Sequence, residues 1–185
     1  MSRWTKLGRE VLSKHKVFSV VADRLRREDD GLECEIHLFE TGEWCNVVAL
    51  TEDEHFVLVR QWRFGIEGES LEFPGGVVDP GESPLEAAAR ELGEETGYVA
   101  RSIESLGFVR ANPAMQATRH HMFVATGCTP RAGGQSLDAL EDCRVEVLDR
   151  AQLERAIDEG TFNHALCWTA LLAFDRWARN AGAAR

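Results

Sequence analysis

The sequence predicts a mixed α/β fold, in which a mixed β-sheet carries helices on its faces behind an N-terminal β extension. Three observations predict it. The order of elements is several short strands, one capped helix, more strands and then two helices, an order that suits helices layered on a sheet. The length, 185 residues, corresponds to about one domain at roughly 150 residues per domain. With 44% hydrophobic and 28% charged residues, the chain has the balance of an ordinary globular protein and needs no disulfide or structural metal to build a core.

Val17–Val21 reads as a short apolar strand. Asp29-Asp30-Gly31 is a turn signal, and Leu32–Phe39 alternates imperfectly as a second strand. Together they predict a hairpin. Asn46–Leu50 and Phe56–Arg60 are strands flanking Glu52-Asp53-Glu54, and Leu71–Phe73 leads into Pro74-Gly75-Gly76. Val77-Val78 is a short strand before the turn at Asp79-Pro80-Gly81. Ser83 is an N-cap, Pro84 takes the first helical position and Glu86 completes a capping box. The helix is expected from Pro84 to about Glu95, with Leu85, Ala88, Ala89 and Leu92 as its apolar stripe and Gly97 as its left-handed stop. Strands are expected at Ser102–Val109, His121–Ala125 and Arg144–Leu148, and Gly127–Ser136 is a loop. Ala151–Glu159 is a helix closed by Gly160, and Asn163 caps a last helix reaching about Ala178. No GxGxxG or GKS/T motif occurs, which excludes the usual doubly wound nucleotide folds.

The net charge of -10 opposes nucleic acid and anionic membranes as partners. A small anionic substrate is compatible with it only through local cations. The five cysteines (Cys34, Cys45, Cys128, Cys143, Cys167) form no CxxC pair, so free thiols in a reducing compartment are expected. Met1–Gly8 lacks the apolar run of a signal peptide. No stretch approaches the roughly 20 apolar residues of a membrane span. A cytoplasmic location follows as the expectation.

Glu91, Glu94 and Glu95 are the sharpest chemical feature. Their spacing puts three carboxylates on or near one helix face. An acidic helix face is usually just solvated. Here the tight glycine turn and the capped helix would set these side chains beside main-chain carbonyls, a hard-oxygen cradle suited to magnesium.

Gly76, Glu82, Arg90, Glu91, Leu92, Glu94, Glu95, Gly97 and Tyr98 fall on the fixed positions of the Nudix box, all but Tyr98 with the usual residue type, and the chain is identified by that resemblance as a member of the Nudix hydrolase superfamily. Tyr98 stands where an aliphatic residue is usual. The resemblance implies the Nudix fold, a mixed β-sheet sandwich with flanking helices. It implies that Glu91, Glu94 and Glu95 hold divalent cations, Mg2+ with Mn2+ as a substitute, that Glu82 supports them, and that the carbonyl of Gly75 or Gly76 completes the shell. Arg90 would brace the glutamates, its alternative being a surface salt bridge to Glu86 or Glu94.

Arg60-Gln61-Trp62-Arg63 followed by Leu71–Gly76 resembles the approach to the box in ADP-ribose and nucleoside-diphosphate-sugar pyrophosphatases. Glu141-Asp142-Cys143-Arg144-Val145 resembles the late segment where those enzymes carry a further carboxylate. Glu141 is the matching position for handling the attacking water, with Asp142 and Glu146 as alternatives. Arg63 is the candidate phosphate contact or else a strand-end salt bridge. Trp44 and Trp62 are candidates to stack on a base, or else core or dimer contacts. Asn112, Gln116 and Arg119 are candidates to read a base or sugar. Thr118 replaces the glutamate usual three positions before His121, which weakens a strict ADP-ribose assignment.

The implied reaction is hydrolysis of a nucleoside diphosphate sugar, of ADP-ribose or GDP-mannose type, to a nucleoside monophosphate and a sugar phosphate. The alternatives are a Nudix hydrolase of oxidised nucleoside triphosphates and a non-catalytic nucleotide-binding regulator. Residues 1–43 are expected to be a β extension serving a homodimer, and residues 44–185 the hydrolase domain.

Overall fold

The chain folds into two compact units, one containing the residues up to Gly42 with Arg110–Arg119, the other Glu43–Val109 with His120 onward. The computed structural model describes residues 3–138 and 141–183. Met1 and Ser2 of the expected extension, and Ala139, Leu140, Ala184 and Arg185 of the expected hydrolase domain, lie outside the described residues.

The first unit holds a three-stranded antiparallel sheet in the order β1 (Trp4–Lys14), β2 (Phe18–Arg27), β3 (Glu33–Thr41). The expected hairpin is β2–β3, and β1 is an addition to it. Register shifts between Lys6 and Gly8 and between Val11 and Ser13 break the period-2 pattern that would have announced β1. Asp23, buried in β2, receives both Arg9 guanidinium bonds at 2.5 and 2.7 Å and the Lys6 ammonium at 2.7 Å. The Arg9 guanidinium first, then Lys6, hold its carboxyl well below the usual range against the cost of burial. Segment Arg110–Arg119 belongs to this unit. Phe39 N–H donates to Met115 O at 2.9 Å, and Thr41 and Thr118 share a hydroxyl bond of 2.7 Å.

The second unit is built on a seven-stranded mixed sheet. Its path is β10 (Cys143–Leu148), β5 (Phe56–Arg63), β4 (Trp44–Thr51), β9 (Arg119–Pro130), β7 (Tyr98–Val99), with β6 (Gly68–Glu72) on β5 and β8 (Ser102–Arg110) on β9. β4 and β9 run parallel, whereas β5 is antiparallel to β4, β6 and β10. Alternation along the strands divides the core. Val47, Ala49, Val57, Phe123 and Ala125 meet Ala87 and Ala88 of α1 (Pro84–Glu91) and Leu92 just beyond it. Val48, Leu50, Leu58, Met122 and Val124 meet α2 (Arg150–Asp158) and α3 (Ala165–Ala183) through Leu153, Ala170, Leu171 and Phe174. This is the mixed sheet with flanking helices that the sequence predicts.

α1 begins as expected, with the Ser83–Glu86 capping box and Pro84. Its buried face is Ala87, Ala88 and Glu91, whereas Leu85 is exposed. It also stops being α-helical after Glu91, and Leu92–Thr96 forms a π-helical turn ended by Gly97 at φ 70°. Thr96 Oγ1 donates to Leu92 O and accepts from Tyr98 N–H at 3.0 Å, a side-chain competitor that loosens the α ladder. At the start of α3 it is His164 Nδ1, not Asn163, that accepts a helix amide, from Leu166 at 3.2 Å.

A buried polar chain fastens the glycine loop to this core. Asn46 Nδ2 donates to Phe73 O at 2.9 Å, and its Oδ1 meets His120 Nε2 at 2.8 Å. His120 Nδ1 lies 3.3 Å from Thr169 Oγ1 on α3. His120 is fully buried, and burial lowers its pKa to about 4. The unfolded chain takes this proton near the ordinary value of about 6.5, while the folded one resists it. Stability is therefore full above about 6.5 and lost as pH falls towards about 4. Denaturant unfolding should show the wild type losing on the order of 2–3 kcal/mol relative to His120→Gln across that interval. Parallel pH profiles for the two proteins would rule out this role for His120.

Candidate active site

The site grows from the carboxylates of α1 and its π-helical turn. Arg90 reaches Glu82 at 3.0 Å, Glu91 at 2.9 Å and Glu94 at 3.0 Å, and donates to Val77 O at 3.1 Å. One guanidinium thus gathers three acids whose spacing would otherwise make them repel. Its alternative partner Glu86 is instead committed to Ser83 N–H at 2.8 Å. Glu82 also accepts from Asp79 N–H at 3.2 Å, which folds the Asp79–Glu82 turn back on the cluster.

Glu95 is held differently. Its Oε2 accepts from Gly75 N–H at 2.8 Å, and Cys143 Sγ stands 3.9 Å from its Oε1. Burial pushes its carboxyl up to about 8; the Gly75 amide opposes this, and the charges of Glu91 and Glu141 add to it. Burial, eased by Arg90, also raises Glu91. The charge of Glu141 adds to the rise at both Glu91 and Glu95. Glu141 Oε2 accepts from Asp138 N–H at 2.9 Å. Crowded carboxylates, with Glu91 and Glu95 raised and all of them hard oxygen donors, fit a divalent cation.

The glycine loop meets the cluster at close range. Cys45 N–H donates to Gly76 O and Val47 N–H to Pro74 O, both at 2.9 Å. A Cβ at Gly75 would overlap Cys45 O, and one at Gly76 would overlap the Glu91 carboxylate. These positions require glycine for closeness of approach.

The remaining candidates divide. Arg63 is bidentate to Glu72 at 2.7 and 2.5 Å, and its charge reaches Glu95, so it stands beside the box with a carboxylate already bound. Trp62 is 47% exposed and, by strand alternation, lies on the opposite face of β5 from Arg63. Trp44 is half-buried in β4 opposite His120. Asn112, Gln116 and Arg119 lie in the first unit, where Asn112 O accepts from Met115 and Gln116 N–H at 3.0 and 2.9 Å.

The sequence reading passed over Asn46, signalled only as a lone amide in an apolar run. It also passed over Gln61, which is paired across the ladder with Cys143. Gln61 Oε1 is buried without a hydrogen-bond partner among the described residues.

A family model for the NUDIX domain matches residues 44–166. ADP compounds hydrolase NudE of Escherichia coli (strain K12) is 26% identical over 179 residues, 96% of this chain and 95% of that protein. ADP-ribose pyrophosphatase of Bacillus subtilis (strain 168) is 33% identical over 103 residues, 56% of this chain and 55% of that protein. A solved crystal structure of ADP compounds hydrolase aligns with a TM-score of 0.85 at 26% identity, covering 97% of this chain and 96% of that one.

Gly76→Ala separates site from fold. The atom it displaces is the far end of the flexible Glu91 side chain, so folding survives while the carboxylate moves. Mn2+ titration followed by paramagnetic resonance should show binding weakened about tenfold or more, at little change in melting temperature. Unchanged Mn2+ affinity would remove Glu91 from the ligand set.

Proposed function

The chain belongs to the Nudix family, and on that premise we propose that it hydrolyses the diphosphate of a nucleoside diphosphate sugar, of ADP-ribose or GDP-mannose type, to a nucleoside monophosphate and a sugar phosphate. The observation that carries this reading is the junction of Glu82, Glu91 and Glu94 on Arg90 with Glu95 on the Gly75 amide. Relatives named for ADP compounds and ADP-ribose support this substrate class.

Nudix hydrolases use divalent metal ions, and Mg2+, with Mn2+ as a substitute, is the proposed ion here. Glu82, Glu91, Glu94 and Glu95 with the Gly75 or Gly76 carbonyl would hold it. The ion supplies charge neutralisation of the diphosphate and lowers the pKa of attacking water. Arg90 keeps the glutamates aimed together. Glu141 is assigned the orientation of that water and acceptance of its proton, as the water oxygen bonds to phosphorus and the P–O bond to the bridging oxygen breaks. Arg63, oriented by Glu72, is assigned a phosphate contact, and Trp62 and Trp44 the base. Roles for Asn112, Gln116 and Arg119 in substrate choice are a separate proposal, to be read from their single alanine variants.

The same reading includes a homodimer. The β1–β3 sheet exposes Trp4, Leu7, Val11, Ile36 and Phe39, apolar surface that a second chain would cover. Light scattering on the eluting protein should give twice the 20.7 kDa chain mass, and a monomer throughout the micromolar range would refute it. No helix among the described residues is long and apolar enough to cross a membrane. All five cysteines are free, which supports a reducing, cytoplasmic setting.

The deciding experiment compares kcat/KM for ADP-ribose, GDP-mannose, other sugar nucleotides and an oxidised guanosine triphosphate. A sugar nucleotide should lead, and Glu95→Gln should lower kcat by roughly 100-fold or more while the protein stays folded. A wide margin for the triphosphate overturns the substrate assignment, and undiminished turnover in Glu95→Gln overturns its role as ligand.

A further inference from the structure

Outside the box, a second set of metal-competent side chains converges. Glu72 at the end of β6, His164 just before α3 and Cys167 in its first turn each offer one donor atom, and the three atoms lie within 4.8 Å of one another. The fold builds this meeting. Residues three apart at a helix start share a face, which pairs His164 with Cys167. Leu71 N–H donates to Thr161 O at 3.0 Å, and Ser70 Oγ to Asn163 Oδ1 at 3.4 Å, so β6 is fastened to the segment entering α3.

We propose that Glu72, His164 and Cys167 form a second cation site, selective for a borderline-soft ion such as Zn2+ over Mg2+, whose occupancy inhibits the enzyme by drawing Glu72 away from Arg63. The inhibitory half rests on the reading of Arg63 as a phosphate contact, and the binding half does not.

The donor set decides the ion. One thiolate, one imidazole and one carboxylate suit Zn2+, whereas Mg2+ takes oxygen ligands and keeps its waters. Three protein ligands leave one tetrahedral position for water. A tetrahedral ion with bonds of about 2.0–2.3 Å holds its ligands about 3.5 Å apart. The cluster therefore closes by about 1 Å on binding, a side-chain adjustment. His164 Nδ1 carries the neutral ring's lone pair and spends it on Leu166 N–H, so an ion bound at that nitrogen takes the lone pair in place of the amide.

Cys167 is fully buried, and burial followed by the Glu72 carboxylate pushes its thiol up, with Arg63 opposing more weakly than Glu72 acts. The thiol is therefore inert as a nucleophile, and the net field of its charged neighbours favours a cation. Binding breaks the S–H bond, forms the sulfur–metal bond and releases the proton to solvent. Both oxygens of Glu72 now serve Arg63. An ion on either of them competes with the guanidinium for one carboxylate and loosens its anchor.

Cobalt(II) reports such a site optically. It is titrated, with Mg2+ in large excess, into the wild type, Cys167→Ser, His164→Gln and Glu95→Gln. The wild type and Glu95→Gln should both develop a thiolate-to-cobalt charge-transfer band saturating at one ion per chain. The band should be absent in Cys167→Ser, and the affinity about tenfold or more weaker in His164→Gln. No band in the wild type, or a band that survives Cys167→Ser, overturns the site. If the buried serine prevents folding, the half-buried His164→Gln carries the test, and unchanged cobalt affinity in it overturns the site equally. Zn2+ should inhibit wild-type turnover in excess Mg2+ at about tenfold lower concentration than it inhibits His164→Gln. Equal inhibition overturns the inhibitory half alone. Persistence of the band in Glu95→Gln keeps this site distinct from the box, whatever the substrate panel shows.

Discussion

Repulsion among clustered carboxylates is the constraint on which the rest of the structure depends. Glu82, Glu91 and Glu94 share one counter-ion, Arg90, and Glu95 receives only a backbone amide and a thiol among its described contacts. Two like unit charges about 4 Å apart at an effective dielectric near 20 repel by about 4 kcal/mol, the scale on which such crowding acts. Arg90 offsets part of that for three acids and cannot reach a fourth. Glu95, outside its reach, has its carboxyl pushed up to about 8 by burial first, with the charges of Glu91 and Glu141 adding to it. On the proposed reading, such an arrangement is an incomplete electrostatic assembly until cations enter, and affinity for them would come from that incompleteness.

Backbone geometry divides the two kinds of carboxylate. Had the α-helix continued, Glu91, Glu94 and Glu95 would have formed one crowded stripe. The π-helical turn at Leu92–Thr96 widens the ladder between Glu91 and Glu95, a distortion frequently found at functional sites. Glu94 stays with Arg90, and Glu95 turns inward to Gly75. Gly97, in the left-handed region, ends the turn where a side chain would strike Gly134.

Legibility in the sequence followed the range of the signal. The box was readable because its spacing is local and every fixed position has one chemical task. So was the start of α1, where Ser83, Pro84 and Glu86 act within one turn. What escaped depends on partners distant in the chain. β1 was invisible because its bulges destroy alternation. Leu85 was assigned to the core, yet Ala87 is the buried residue, because small side chains let α1 approach the sheet closely. The π-helical turn hinges on a Thr96 hydroxyl choosing Leu92 O. Arg63 is open in the sequence to a phosphate contact or a strand-end salt bridge, and only the fold could show that Glu72 takes the Nε–Nη2 edge of its guanidinium. The loop residues Asn112, Gln116 and Arg119 fold with the first unit, which no local pattern encodes.

The glycine loop shows why chemistry and specificity are separable in this architecture. Three consecutive residues of β4 grip it: Cys45 N–H on Gly76 O, the Asn46 amide on Phe73 O, and Val47 N–H on Pro74 O. Asn46 is in turn fixed through His120 to α3. The loop therefore inherits the rigidity of the central strand, and Glu95 inherits it through Gly75. Residues that touch neither β4 nor the loop escape this constraint. Trp62 and the exposed hairpin tip at Phe64 and Ile66 can change size or polarity without moving a box carboxylate. Arg63 is the exception, because its partner Glu72 immediately precedes Phe73 and thus joins the variable rim to the fixed loop. A change at that pair acts on loop position and, on the proposed reading of Arg63, on substrate contact as well, so the two cannot be altered independently there.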